Sequence, residues 1–132
     1  MSAPEPSSPF KSRGGLRRLG AALRYSWRGL VAAWRCEAAF RQELALLFAA
    51  IPLALWLTNS ASERLLLIGS LIAVLVVELL NSAIEALADL LHPDPHPLVA
   101  RAKDLGSAAV FLTLSLAALC WIVAVVRLLV NG

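Results

Sequence analysis

The sequence predicts an all-α membrane protein: one amphipathic helix on the membrane surface, followed by three helices that cross it. Three observations carry this. The chain is 59% hydrophobic but only 7% aromatic, so its apolar mass is Leu, Ala and Val, and its mean hydropathy is +0.73. That is more apolar than a soluble domain needs. The apolar residues gather into three long runs, each a candidate span. Finally, eight of the twelve Lys and Arg precede residue 42, leaving those runs almost free of basic charge. At 132 residues this is one domain's worth of chain.

Residues 1–15 are rich in Pro, Ser and Gly and have little to bury, so a disordered tail is expected ahead of a membrane domain over 16–132. No apolar stretch follows closely enough to make a secretory signal. In residues 16–35, Leu16, Leu19, Leu23, Trp27, Leu30 and Trp34 recur at spacings of three and four, the stripe of an amphipathic helix. Arg17, Arg18, Arg24, Arg28 and Arg35 occupy much of the remaining surface. A basic helix with Trp on its apolar face suits the plane of an anionic membrane.

The first span is expected over about 38–57. Its apolar core at 44–57 reaches membrane length only when Ala38, Ala39 and Phe40 join it. Pro52 is expected to bend it, and Trp56 fits an interfacial anchor. Just before, Glu37 and Arg41 form an i, i+4 pair in the favourable order, by itself a surface salt bridge. The polar turn 58–64 offers Ser60 or Ser62 as N-cap to a second span at 65–91. A Pro-punctuated polar loop is expected over 92–104, and a third span over 105–127. The latter opens on Gly106, Ser107, Ala108 and Ala109, small residues that let helices approach.

Basic residues cluster on the N-terminal segment and, with Arg101 and Lys103, on the second loop. The positive-inside rule therefore places the N-terminus in the cytoplasm and the C-terminus outside. Cys36 and Cys120 are expected at different depths, unbridged, as small apolar fillers.

The second span carries the chemistry. At about 100° per residue, Asn81, Ser82, Glu85 and Asp89 all fall within roughly 60° of Glu78. Ionisable groups at membrane depth cost about 2.5–3.5 kcal/mol each on insertion scales and mark a functional site by default. Such a stripe can hold a hard divalent cation, supply a general base at the lipid boundary, or relay protons in a carrier. A packing clamp between helices is the plainest reading of a single carboxylate, but five polar groups on one face exceed what a clamp needs. Arg101 and Lys103 are the nearest candidate counter-charges. No phosphate loop, dinucleotide fingerprint, zinc-protease or nucleophile-elbow motif is present. The residues by themselves leave phosphoryl transfer and ion transport both open.

Two stretches resemble a known family. Glu78-Leu79-Leu80-Asn81-Ser82-Ala83-Ile84-Glu85-Ala86 and Ala102-Lys103-Asp104-Leu105-Gly106-Ser107-Ala108-Ala109-Val110 look like the signature of the prokaryotic diacylglycerol kinases. Glu37-Ala38-Ala39-Phe40-Arg41-Gln42-Glu43 and Tyr25-Ser26-Trp27-Arg28-Gly29-Leu30 resemble the diacylglycerol-phosphorylating branch more than the undecaprenol kinases.

The resemblance implies a homotrimer with active sites shared between subunits, in the bacterial inner membrane. It implies Mg²⁺ and ATP as cofactor and co-substrate, and diacylglycerol and membrane lipid as partners, with no nucleic acid. Glu78 would be the base on the lipid hydroxyl, supported by hydrogen bonding from Asn81. Glu37 and Glu85 would hold the Mg²⁺ of MgATP. Arg18, Tyr25, Lys103 and Asp104 would contact the nucleotide, with Asp94 and His96 joining from the loop. Ser26, Trp27, Trp34, Ala39, Arg41, Glu43 and Ser107 would border the diacylglycerol. The competing readings are an undecaprenol kinase and a non-enzymatic, proton-coupled membrane bundle. A carrier needs neither a basic helix beside the acidic stripe nor Lys103-Asp104 at the mouth of the third span.

Overall fold

The computed structural model describes residues 15–91, 94 and 96–131. The expected tail lies outside these residues except for Gly15, as do His92, Pro93 and Pro95 of the loop. Four helices follow one another: α1 (Gly15–Cys36), α2 (Ala38–Leu57), α3 (Ala61–Leu91) and α4 (Pro97–Asn131). No strand occurs among the described residues. Three of the helices, α2, α3 and α4, are long and apolar enough to cross a membrane.

α1 is amphipathic as its spacing predicts, and of its residues only Ala33 is buried. It meets α2 at Glu37, whose backbone is extended at φ −108°, ψ 114°. The orphaned carbonyls at the end of α1 find a partner from the next helix. Arg41 Nη1 donates to Trp34 O at 3.0 Å and to Arg35 O at 3.5 Å. The guanidinium that sequence spacing pairs with Glu37 thus closes a helix end instead. The same device recurs at the end of α2. There Arg64 Nη2 donates to Leu55 O at 3.0 Å and Arg64 Nε to Thr58 O at 2.8 Å. α2 runs on as helix through Pro52.

Ser60 caps α3, accepting from the Glu63 N–H at 3.4 Å. Glu63 Oε2 in turn accepts from Thr58 Oγ1 at 2.6 Å, and Glu63 Oε1 pairs with Arg127 Nη1 of α4 at 2.6 Å. This ties the start of α3 to the end of α4. α3 is the central element and packs most extensively on α4, then on α2. Phe40, Leu47 and Ala50 of α2 meet Leu71, Val74 and Leu75 of α3 and Ala117 of α4 in one buried cluster. Lipid tails are as apolar as these side chains, so close packing rather than escape from water holds such a cluster together. Trp121 packs against it and donates its indole N–H to Leu67 O at 3.2 Å.

α4 differs from the expectation at its start. Helix begins at Pro97, eight residues before the expected span, so 97–104 is helical rather than loop. Pro97 takes the first helical position, where a missing N–H costs nothing. His96 Nδ1 accepts the Leu98 N–H at 3.2 Å and serves as the cap. Only 6% of the apolar stretch of α4 is buried, against 28% for α3, so α4 presents most of its surface outward.

Candidate functional site

Glu78 is 5% exposed, the one charged residue buried among those described. The polar stripe puts it there. α3 turns its Leu and Val face into the core over Leu67–Leu75, and the same face carries Glu78 one turn later. Two further carboxylates act electrostatically on it, Glu37 from the α1–α2 junction and Glu85 from two turns along α3. Glu78 in turn acts on Glu43 of α2. Carboxylates from the α1–α2 junction, from α2 and from α3 thus lie within electrostatic reach of Glu78.

Asn81 Nδ2 donates to Glu85 Oε1 at 3.2 Å. This bond engages one of the two oxygens of Glu85. Among the described residues, two buried side-chain oxygens, Asn81 Oδ1 and Glu43 Oε2, have no hydrogen-bond partner. Among the described residues no three His, Cys, Asp or Glu converge closely enough to cage a metal. The chain offers carboxylate oxygens in ones and twos, the donor set that suits Mg²⁺ when phosphate oxygens and water complete its shell. Glu37 and Glu85, facing Glu78 with like charge, fit that requirement.

Two grooves flank α1. One, of about 610 Å³, has Ser26, Gly29, Cys36 and Glu37 on one wall and Ser82 and Ala83 of α3 on the other. The second, of about 630 Å³, is apolar and includes Trp27, Trp34, Phe40 and Phe48. Leu30 and Leu79 border both grooves, and Glu37 lines the polar one. A ligand with a polar end and greasy chains can lie across that seam, its polar end toward Glu37.

The other expected residues are more dispersed. Arg18 lies at the exposed start of α1, beside Gly15, Leu19 and Ala22. Tyr25 is exposed, with the Arg24 guanidinium 5.9 Å from its ring centre. Ala39, Asp94, His96, Asp104 and Ser107 are exposed. Arg41 is turned onto the α1 carbonyls. Lys103 pairs with Asp89 Oδ1 at 2.5 Å, and its charge also acts on Glu85. It provides the counter-charge expected of Arg101 or Lys103, whereas Arg101 is exposed. Cys36 is exposed on the polar groove rather than filling an apolar gap, and both cysteines are free.

Three features carry more than sequence reasoning assigned them. Ser82 lines the polar groove, as its place on the stripe allowed. Asp89 is the partner of Lys103 across the α3–α4 connection. Gly106 lies against Asn81, so that a Cβ there would collide with the carboxamide oxygen.

A family model described as prokaryotic diacylglycerol kinase matches residues 24–125. The chain is 49% identical over 107 residues to a diacylglycerol kinase of Escherichia coli K12, covering 81% of this chain and 88% of that protein. It is 48% identical over 114 residues to a diacylglycerol kinase of Pseudomonas aeruginosa, covering 86% and 93%. A diacylglycerol kinase of Helicobacter pylori J99 is 42% identical over 107 residues, covering 81% and 84%.

Proposed function

Because the chain belongs to the prokaryotic diacylglycerol kinase family, we propose that it transfers the γ-phosphoryl group of ATP to the free hydroxyl of sn-1,2-diacylglycerol, giving phosphatidic acid and ADP. The observation that carries the residue assignment is Glu78: the one buried charged side chain among the described residues, within electrostatic reach of Glu37 and Glu85.

Phosphoryl transfer needs positioning and charge stabilisation more than a dedicated nucleotide fold. The apolar groove with Trp27 and Trp34 receives acyl chain, and Ser26 of the polar groove borders the glycerol end, with Ala39, Arg41, Glu43 and Ser107 completing the lipid's surroundings. Glu78 accepts the proton of the lipid hydroxyl as its oxygen forms a bond to the γ-phosphorus and the bond to the ADP oxygen breaks. Glu37 and Glu85 hold Mg²⁺, which when bound neutralises phosphate charge. Asn81 keeps Glu85 oriented. Lys103 leaves Asp89 for the nucleotide phosphates, and Arg18, Tyr25, Asp94, His96 and Asp104 frame the nucleotide.

The kinase domain occupies 16–132 behind the tail. It sits in the bacterial inner membrane with its N-terminus cytoplasmic, on the side where ATP is found. The chain works as a homotrimer whose sites are shared between subunits. The outward surface of α4 supports this reading, since a helix with so little of its apolar length buried has room for a second copy.

The test supplies γ-labelled ATP and Mg²⁺ to purified protein in detergent micelles, with diacylglycerol and undecaprenol in parallel. Label in phosphatidic acid is the expected result. Label on undecaprenol alone, or on neither lipid, overturns the proposal.

A further inference from the structure

The described glycines differ sharply in surroundings. A Cβ at Gly15, Gly20, Gly29 or Gly69 would meet nothing within 4 Å. Gly106 is buried, and a Cβ there would run into the side-chain oxygen of Asn81. The direction a Cβ would take holds a hydrogen on Gly106, which therefore points at that oxygen. Among the described residues, this oxygen is one of two buried side-chain atoms without a conventional hydrogen-bond partner. A Cα–H is a weak donor of the kind found where helices approach closely. At its other end the same carboxamide donates to Glu85 Oε1 at 3.2 Å.

These contacts form a chain from α4 to the acidic site. Asn81 can aim its amide nitrogen at Glu85 only while its oxygen points at Gly106, because the two ends of a carboxamide turn together. We propose that Gly106 is a positioning residue: by lacking a side chain it holds the Asn81 carboxamide in the one orientation that orients Glu85. The inference rests on the reading of Glu85 as a metal-holding group and extends it to a residue on another helix.

The geometry also separates positioning from packing. The backbone of Asn81 is ordinary contact distance away, with its Cα at 3.9 Å from the Cβ position. A methyl group at 106 therefore displaces a side chain that can rotate, without forcing the helices apart. Losing a group that orients a metal ligand typically weakens metal affinity by about 10–100-fold.

The experiment titrates Mn²⁺, followed by electron paramagnetic resonance, into the purified full chain in micelles with a non-hydrolysable ATP analogue. Gly106→Ala and Asn81→Ala are each expected to weaken Mn²⁺ binding by about 10–100-fold. The double variant is expected to bind no more weakly than Asn81→Ala, because the glycine acts only through the carboxamide. Wild-type Mn²⁺ affinity in Gly106→Ala, or a further tenfold loss in the double variant, overturns the proposal. Should Gly106→Ala fail to fold, the double variant must fold, since the obstructing group is gone; a double variant that also fails to fold overturns the proposal too. Glu85→Gln tells the two levels apart. Unchanged Mn²⁺ affinity there removes the metal reading of Glu85, whereas a loss there beside an unaffected Gly106→Ala removes only the role of the glycine.

Discussion

Replacing Glu78 by Gln separates catalysis from folding, because the two effects have opposite signs. The substitution keeps side-chain shape at a position that is 5% exposed, so packing is preserved. It removes the one group placed to accept the hydroxyl proton. A positioned general base contributes about 10²–10⁴-fold, or roughly 3–5 kcal/mol of barrier, and the rate should fall by that factor. Stability should move the other way. Glu78 is a buried charge faced by Glu37 and Glu85, and neutralising an uncompensated buried charge is neutral to about 2 kcal/mol stabilising. The assay pairs label transfer to diacylglycerol with thermal unfolding in the same micelles. A rate within about fivefold of wild type would refute the base assignment. A variant that loses activity because it unfolds earlier would refute the electrostatic argument.

Glu85→Gln should raise the Mg²⁺ concentration for half-maximal rate by at least about tenfold, measured by titrating Mg²⁺ at saturating ATP and lipid. Phe40→Ala removes a ring that is 3% exposed in the α2–α3 cluster. Thermal unfolding should report a loss near the lower end of the ~3–5 kcal/mol range, since lipid removes part of the transfer contribution while the cavity remains. Arg41→Met deletes the donor to Trp34 O and Arg35 O. It should leave α2–α4 folded but free the end of α1, seen as faster proteolysis between α1 and α2 and a higher KM for diacylglycerol.

Much of this architecture is legible in the residues because local period dominates it. The Leu and Trp spacing of α1 survives intact, and the second span does bury Glu78 on the face that its stripe defines. What escaped was set by partners distant in sequence or in direction. Arg41 sits four residues from Glu37, where spacing favours a pair, yet its guanidinium turns to the carbonyls of Trp34 and Arg35 at the end of α1. Arg64 repeats the choice one connection later. Prolines at 93, 95 and 97 predict loop running through 97–104, but Pro97 at a first helical position and His96 as its cap start a helix there instead. Asp89 lies on the same stripe as Glu78, and only the return of the chain through α4 shows that it meets Lys103. The contact of Gly106 with Asn81 lay outside any local pattern, since 25 residues separate them.

Whether Glu78 is the base is tested by removing its carboxylate and giving one back. In Glu78→Gly the vacated space can admit formate, and label transfer from ATP to diacylglycerol can be followed as formate is added. A rate near background is expected without formate and a saturable rise with it, absent in Glu78→Gln where the amide fills the space. A rate that formate leaves unchanged, or a wild-type rate in its absence, would contradict the assignment of Glu78 as the base.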